Sequence, residues 1–197
     1  MESSSGNITV QTMASILRDH RTHPDPAAGL AGADICMHAS FGPIRGSQST
    51  ASMIVSLDKN RPLVFATGTS APCTGIFKPY WVDAPPSDQG QSPQGQFDPK
   101  TTFWSHERLH REVLENYPDK IKSYREDRDK LEEEFFQEGL ALSAAPREER
   151  RDYTEACIRK AAEAEEDWLD RVLEIPEKKK LFHDAAWNGF NKAAGFE

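Results

Sequence analysis

Two short apolar runs rich in β-branched residues, 53–57 and 63–67, stand out in the first half of the chain, separated by Asp58-Lys59-Asn60-Arg61-Pro62. The pattern predicts a hairpin, two strands joined through turn-forming residues, with Pro62 just outside the second ladder. Residues 34–40 predict a further strand. Thr9 is placed to cap a short helix from Val10 to about His20, whose apolar stripe is Met13, Ile16 and Leu17. Residues 1–6 are expected to be disordered and 23–30 to form a loop. Past Lys100 the period becomes helical. Tyr117, Ile121, Tyr124, Leu131 and Phe135 recur 4, 3, 7 and 4 apart, with Arg128 in the skipped position. Gly139 and Ala144-Ala145-Pro146 are expected to end that helix. Tyr153, Cys157, Ala161, Ala164, Trp168 and Val172 form the stripe of a return helix, giving an antiparallel helical hairpin. Pro176 is expected to start a last helix carrying Leu181, Phe182, Trp187 and Phe190, an aromatic stripe for core or interface. Between the two regimes, residues 83–100 are rich in Pro, Gly, Gln and Ser and read as a linker. The expected organisation is therefore α+β: an α/β region over 1–82, a linker over 83–101 and a helical region over 102–197.

Composition narrows the function classes. The chain has 197 residues, 37% hydrophobic and 28% charged, a length and balance suited to one or two compact units. The net charge is −8, and residues 101–197 carry −7 of it. Nucleic acid is a poor partner for such a surface, because phosphate binding needs a basic patch, and Lys178-Lys179-Lys180 is the one basic run. That run reads as a solvated helix face. No apolar stretch reaches the roughly 18–20 residues that span a bilayer, and no basic segment followed by an apolar one opens the chain. A cytoplasmic protein that touches neither membrane nor nucleic acid is expected. Cys36, Cys73 and Cys157 are sparse and lack CxxC spacing, so they suggest free thiols, with Cys157 a small core hydrophobe.

Candidate chemistry concentrates between Ile35 and Pro79. Ser47, Gln48, Ser49, Thr50 and Ser52 lead into the first strand of the hairpin, and Thr67, Gly68 and Thr69 leave the second. Alternate residues of an extended segment point the same way, so these eight are candidates for the wall of a substrate pocket, or equally for capping loops and satisfying buried backbone. His38 lies two residues from Cys36 and would share a strand face with it, where a structural histidine is the simpler reading. One pattern further on invites a metal assignment: His106-Glu107-Arg108-Leu109-His110 matches HExxH, whose histidines lie one helical turn apart and can grip zinc while the glutamate acts as base. No third ligand follows at the usual spacing, so a solvated His/Glu face competes with it.

Several of these segments together resemble the secernin family and related dipeptidase-type cysteine peptidases, members of the N-terminal-nucleophile hydrolase class. The resemblance is carried by Ile35-Cys36-Met37-His38-Ala39, Ser47-Gln48-Ser49-Thr50-Ala51-Ser52-Met53, Thr67-Gly68-Thr69-Ser70-Ala71-Pro72 and Phe77-Lys78-Pro79, with Ile8-Thr9-Val10, Ile16-Leu17-Arg18-Asp19-His20 and the stretch from Trp104 to Leu114 in the same order. It covers most of this chain but matches only the C-terminal part of the family's chain. It implies part of the sheet of an αββα sandwich, with an open edge where strands are missing. It also implies a catalytic cysteine at a processed N-terminus, whose own amine is the general base. This chain begins Met1-Glu2-Ser3-Ser4-Ser5-Gly6 and has no cysteine before Cys36, so none of its residues is assigned a catalytic role. The resulting expectation is the C-terminal portion of a cofactor-free, secernin-like cysteine dipeptidase, inactive alone. It would be a split product or a subunit, unstable or partnered by a complementing chain or a second copy, and it would act on small peptides when completed. Two other classes stay open: a non-catalytic interaction protein dimerising through the aromatic stripe, and a zinc peptidase built on His106, Glu107 and His110.

Overall fold

Alternation in the two apolar runs produces a hairpin. In the computed structural model, which describes residues 8–21, 25–27, 34–40, 45–57, 61–88 and 90–196, β1 (Met53–Ser56) pairs antiparallel with β2 (Leu63–Ala66), Met53 opposite Ala66 and Ser56 opposite Leu63. The expected disorder of 1–6, parts of the loop over 23–30 and the turn residues 58–60 lie outside the described residues. A third strand, β3 (Lys78–Trp81), pairs with the other side of β2, Phe65 opposite Pro79. Its sequence, Lys-Pro-Tyr-Trp, gave no strand signal. Pro79 has no N–H to donate, and a proline is tolerated there because β3 is an edge of the three-stranded sheet β1-β2-β3.

Residues 34–40 are not a strand. Their backbone bonds go to three different places: Cys36 N–H to the Asp19 carbonyl, the Met37 carbonyl to Ser49 N–H, and Ser40 N–H to the Arg45 carbonyl. Isolated bonds to separate segments make no ladder, and the segment serves to deliver side chains instead.

Six helices accompany the sheet among the described residues. They are α1 (Val10–Leu17), α2 (Thr102–Glu115), α3 (Tyr117–Lys120), α4 (Arg125–Ala141), α5 (Arg147–Leu173) and α6 (Leu181–Ala194). Thr9 caps α1 and Thr101 caps α2, each accepting from a backbone N–H three residues on. Gly139 does not end α4. It lies inside the helix where a Cβ would sit 3.3 Å from the Phe65 ring and from Pro79, so its bareness lets α4 approach β2 and β3 closely. The helix stops at Ala141, ahead of Pro146, and α5 returns antiparallel with Cys157, Ala161, Trp168 and Val172 buried.

Pro176 does not start the last helix, which begins at Leu181. Residues 176–180 form no helix, and their polar groups are claimed by α2 and its neighbours: Lys178 N–H donates to the Glu115 carbonyl, and the Lys180 ammonium meets the Leu114 carbonyl and Asp25. The lysine run is thus a strap and not a helix face. Leu181 and Phe182 on α6 are exposed, and Trp187 is buried.

Two apolar clusters hold the elements together. One joins Ile54, Leu63, Phe65, Phe77 and Trp81 of the sheet side to Ala14 of α1 and Phe136 of α4. The other joins Cys36, Ala71, Cys73 and Ile76 to Leu109, Val113, Phe135, Trp168 and Trp187 from four helices. Residues 83–101 are anchored at their C-terminal part. Phe97 packs its ring 4.2 Å from that of Phe196, its N–H bonds the Ala194 carbonyl, and Gln94 receives the Trp104 indole N–H. No helix among the described residues is long and apolar enough to cross a membrane.

Candidate functional site

The first element that organises the site is the turn after β2. Thr69 and Ser70 leave the strand, Ala71 adopts a left-handed φ of 41°, and Pro72-Cys73-Thr74-Gly75 fold back toward α2. A side-chain residue in that conformation is costly and persists only where its surroundings enforce it. Here Ala71 N–H donates to the Ser49 carbonyl at 2.8 Å, and Thr74 and Gly75 both return an N–H to the Ala71 carbonyl. A Cβ on Gly75 would meet the His106 ring at 3.3 Å, so the turn presses directly on α2.

Glu107 lies at the centre of the contact between turn and helix. Its carboxylate accepts from the Ser70 hydroxyl, from Gln48 Nε2 at 3.1 and 3.3 Å, and from Arg111 Nε at 3.0 Å. Burial works against its charge, but His110, Ser70, Arg111 and Gln48 outweigh it and hold the carboxyl below its usual range. Arg111 in turn lies over the rings of Trp187 and Phe196. The Ser70 hydroxyl is fully buried and committed to Glu107, which leaves it no path to a substrate.

Of the flanking histidines of the HExxH pattern, His106 is committed through both nitrogens and His110 through one. His106 Nδ1 lies 3.0 Å from Glu165 on α5, and its Nε2 lies 3.0 Å from the Ser70 carbonyl. Two acceptors demand a proton on each nitrogen. Burial disfavours that charge, yet Glu165 outweighs it and raises the His106 pKa above its ordinary value, while Glu165 itself is held low by His106 and Lys78 against its burial. A doubly protonated imidazole has no lone pair for a metal. His110 donates to or accepts from Thr74 Oγ1 through Nδ1 at 3.0 Å, and burial pushes it down to about 3. In this arrangement His106, Glu107 and His110 fasten α2 to the turn and to α5.

The eight hydroxyl-rich candidates separate accordingly. Gln48 reaches Glu107 and Ser70. Ser49 receives the Met37 N–H on its hydroxyl, and Thr67 Oγ1 receives the Ser52 N–H. Thr67 and Thr69 are buried, Ser47 and Thr50 are exposed, and exposed Gly68 takes φ 66° at the exit of β2. Ser49 and Thr67 thus satisfy backbone, and Gln48 serves the Glu107 carboxylate. Buried Lys78 joins them, its ammonium on the Thr67 and Ile76 carbonyls at 2.9 and 3.1 Å.

A second cluster lies on the other side of the turn, and it adds His20 and Cys73 to the Cys36 and His38 pair that the sequence places together. His38 Nε2 is 3.4 Å from Cys36 Sγ, 3.3 Å from Cys73 Sγ and 3.1 Å from His20 Nε2. Burial and the neighbouring Cys73 sulfur push the Cys36 thiol far up. Burial opposes ionisation of Cys73 too, but the Cys36 thiol and the His38 and His20 imidazoles outweigh it and hold Cys73 well below the usual thiol range. Cys73 and His20 also border a cleft of about 540 Å³ whose wall includes Arg18, Arg125, Arg128 and Glu132. Cys157, by contrast, is buried on α5, and burial pushes its thiol up to about 12. The signal that would have found the cluster is the Cys36-Met37-His38 dipeptide step, with one thiol and one imidazole already together. The other two members lie in distant segments.

A comparison with known proteins finds no matching family model, no matching curated protein and no matching solved structure.

Proposed function

We propose that this chain is the C-terminal portion of a secernin-like cysteine dipeptidase and supplies a scaffold for amide hydrolysis of small peptides, the nucleophilic cysteine coming from a segment outside these 197 residues. The observation that carries this reading is the convergence of the segments that bear the resemblance. Met37 bonds Ser49, Ser49 bonds Ala71, Ser52 bonds Thr67, Lys78 bonds Thr67, and Gln48 and Ser70 meet Glu107 of the Trp104 to Leu114 stretch. Segments scattered over some 80 residues thus form one buried module, as parts of a common functional unit would. The chain's own hydroxyl and thiol groups fit a supporting role, since Ser70, Cys36 and Cys73 are buried and engaged and Cys157 is buried.

Among the described residues β1 pairs on one side only, and its other edge is where a complementing chain or a second copy would add. Met53, Val55 and Leu57 are exposed in alternation along it, and an open edge with apolar side chains is a template for strand addition. That same edge supports the second reading, a non-catalytic interaction protein. The deciding assay is dipeptide hydrolysis by the purified chain, alone and mixed with a cysteine-bearing N-terminal half, with a thiol-blocking reagent and a chelator in parallel. The expected result is no turnover alone and thiol-sensitive turnover in the mixture. Thiol-sensitive turnover by the chain alone would overturn the proposal, as would turnover lost only to the chelator. Stable association without turnover would favour the interaction protein.

A further inference from the structure

His20, Cys36, His38 and Cys73 come from three separated stretches of chain, yet each presents one ligand atom to the same small volume, all four within 4.8 Å of one another. The backbone around them is tied from several sides. Cys36 N–H reaches the Asp19 carbonyl, which stitches the 34–40 segment to the end of α1 beside His20. Arg18 Nε donates to the Pro72 carbonyl at 2.7 Å while its guanidinium grips both oxygens of Glu132 on α4. Arg128 donates to the Cys73 carbonyl, and the Tyr124 hydroxyl to that of Thr74. The His20 ring rests edge-on against Tyr117, and the His38 ring stacks on His110.

Hydrogen bonding alone does not account for the arrangement. One nitrogen, His38 Nε2, stands within 3.1 to 3.4 Å of three other groups. An imidazole nitrogen offers either one proton or one lone pair, so it serves one of those three neighbours, and the close approach of the other two is not explained by a bond to it. The distances have another meaning. Zinc held tetrahedrally at about 2.0–2.1 Å from nitrogen and about 2.3 Å from sulfur sets neighbouring ligands about 3.4 Å apart for N···N and about 3.5 Å for N···S. The three separations from His38 Nε2 lie within about 0.3 Å of those edges. Two thiolates and two imidazoles also match zinc in softness and charge, where magnesium or calcium would require oxygen ligands.

We propose that His20, Cys36, His38 and Cys73 bind one zinc ion in a closed, structural site. Binding displaces two protons from the Cys/His cluster to solvent, and two thiolates then balance the dication, so no net charge is buried. With all four positions filled by the protein, the ion fastens the irregular 34–40 segment and the 71–75 turn to the end of α1 instead of acting on a substrate. The site stands independently of the hydrolase reading.

The test is metal analysis of the full chain produced in zinc-supplemented medium and purified with its thiols reduced, followed by cobalt substitution. One zinc per chain is expected, released stoichiometrically by a thiol-modifying mercurial. The cobalt form should show tetrahedral ligand-field bands with a thiolate-to-metal charge-transfer band. Cys36→Ser and Cys73→Ser should each lose the metal or cut the charge-transfer intensity by about half, the share of one of two sulfur ligands, whereas Cys157→Ser should keep both. Zinc far below one per chain with all three wild-type thiols free to react would overturn the proposal. So would a cobalt spectrum lacking the thiolate band, which would put the metal on other ligands. Both readouts come from the wild-type chain and decide the matter even if a variant fails to fold.

Discussion

His183 shows how burial turns a single residue into a pH sensor of stability. Its ring lies under Trp187 and beside Asp184, and its pKa is pushed down to about 4 by burial and by the neighbouring Lys180, with Asp184 and Asp25 pulling the other way. A group whose folded pKa is depressed binds protons more readily when unfolded. Its contribution is complete above the ordinary histidine value and is withdrawn as pH falls toward the folded one. The drop from 6.5 to about 4, at about 1.4 kcal/mol per unit, corresponds to a loss on the order of 3 kcal/mol across that window. Urea denaturation at pH 7, 5.5 and 4.5 should show the midpoint falling with pH in the wild type, and His183→Gln should flatten that limb. An unchanged slope in the variant would assign the acid sensitivity to other groups. The sequence placed His183 on a helix but could not show that its ring is enclosed, because enclosure is set by Trp187 and the 176–180 strap.

At the scale of elements, the approach of α4 to the sheet depends on a missing side chain. Gly139→Ala would gain about 1 kcal/mol in helix propensity. The new methyl would press at 3.3 Å on Phe65 and Pro79, and overpacking typically costs about 1–3 kcal/mol. Neither neighbour has room to give: Phe65 is fully buried with its ring 4.8 Å from Phe136, and Pro79 is fixed in β3. A net destabilisation of about 1 kcal/mol is expected as a lower urea midpoint at unchanged slope, and a stabilised variant would refute the close-packing role of this glycine. The hairpin, the Thr9-capped α1 and the α4–α5 return were legible because each rests on a local period or cap. β3 was not legible, since Lys78 and Pro79 carry no strand preference and β2 recruits them. Gly139 was misread as a terminator because a sequence shows its lost propensity and not the aromatic ring above it.

For the whole molecule, the question is whether residues 1–82 and 102–197 behave as separate units. The larger apolar cluster takes Cys36, Ala71, Cys73 and Ile76 from the first and Leu109, Phe135, Trp168 and Trp187 from the second, and the Trp187 indole donates to the Ala39 carbonyl. Neither half can keep that cluster dry alone. Thermal unfolding followed by tryptophan fluorescence and by far-ultraviolet circular dichroism should therefore give coincident single transitions. Two resolved transitions would restore the linker over 83–101 as a boundary between independently folding units.

By itself the sequence determined those features whose cause lies within a few residues: the alternation of the hairpin, the helical stripes, the Thr9 cap and the excess negative charge of the second half. It also brought out the Cys36 and His38 step, which is local. The tertiary structure alone decided the rest. It closed His106 to metal by placing Glu165 and the Ser70 carbonyl on its two nitrogens. It also brought His20 and Cys73 to His38 from 18 and 35 residues away. A side chain's chemistry depends on what stands within a few ångströms of its polar atoms, and for these residues most of those neighbours are distant in the chain.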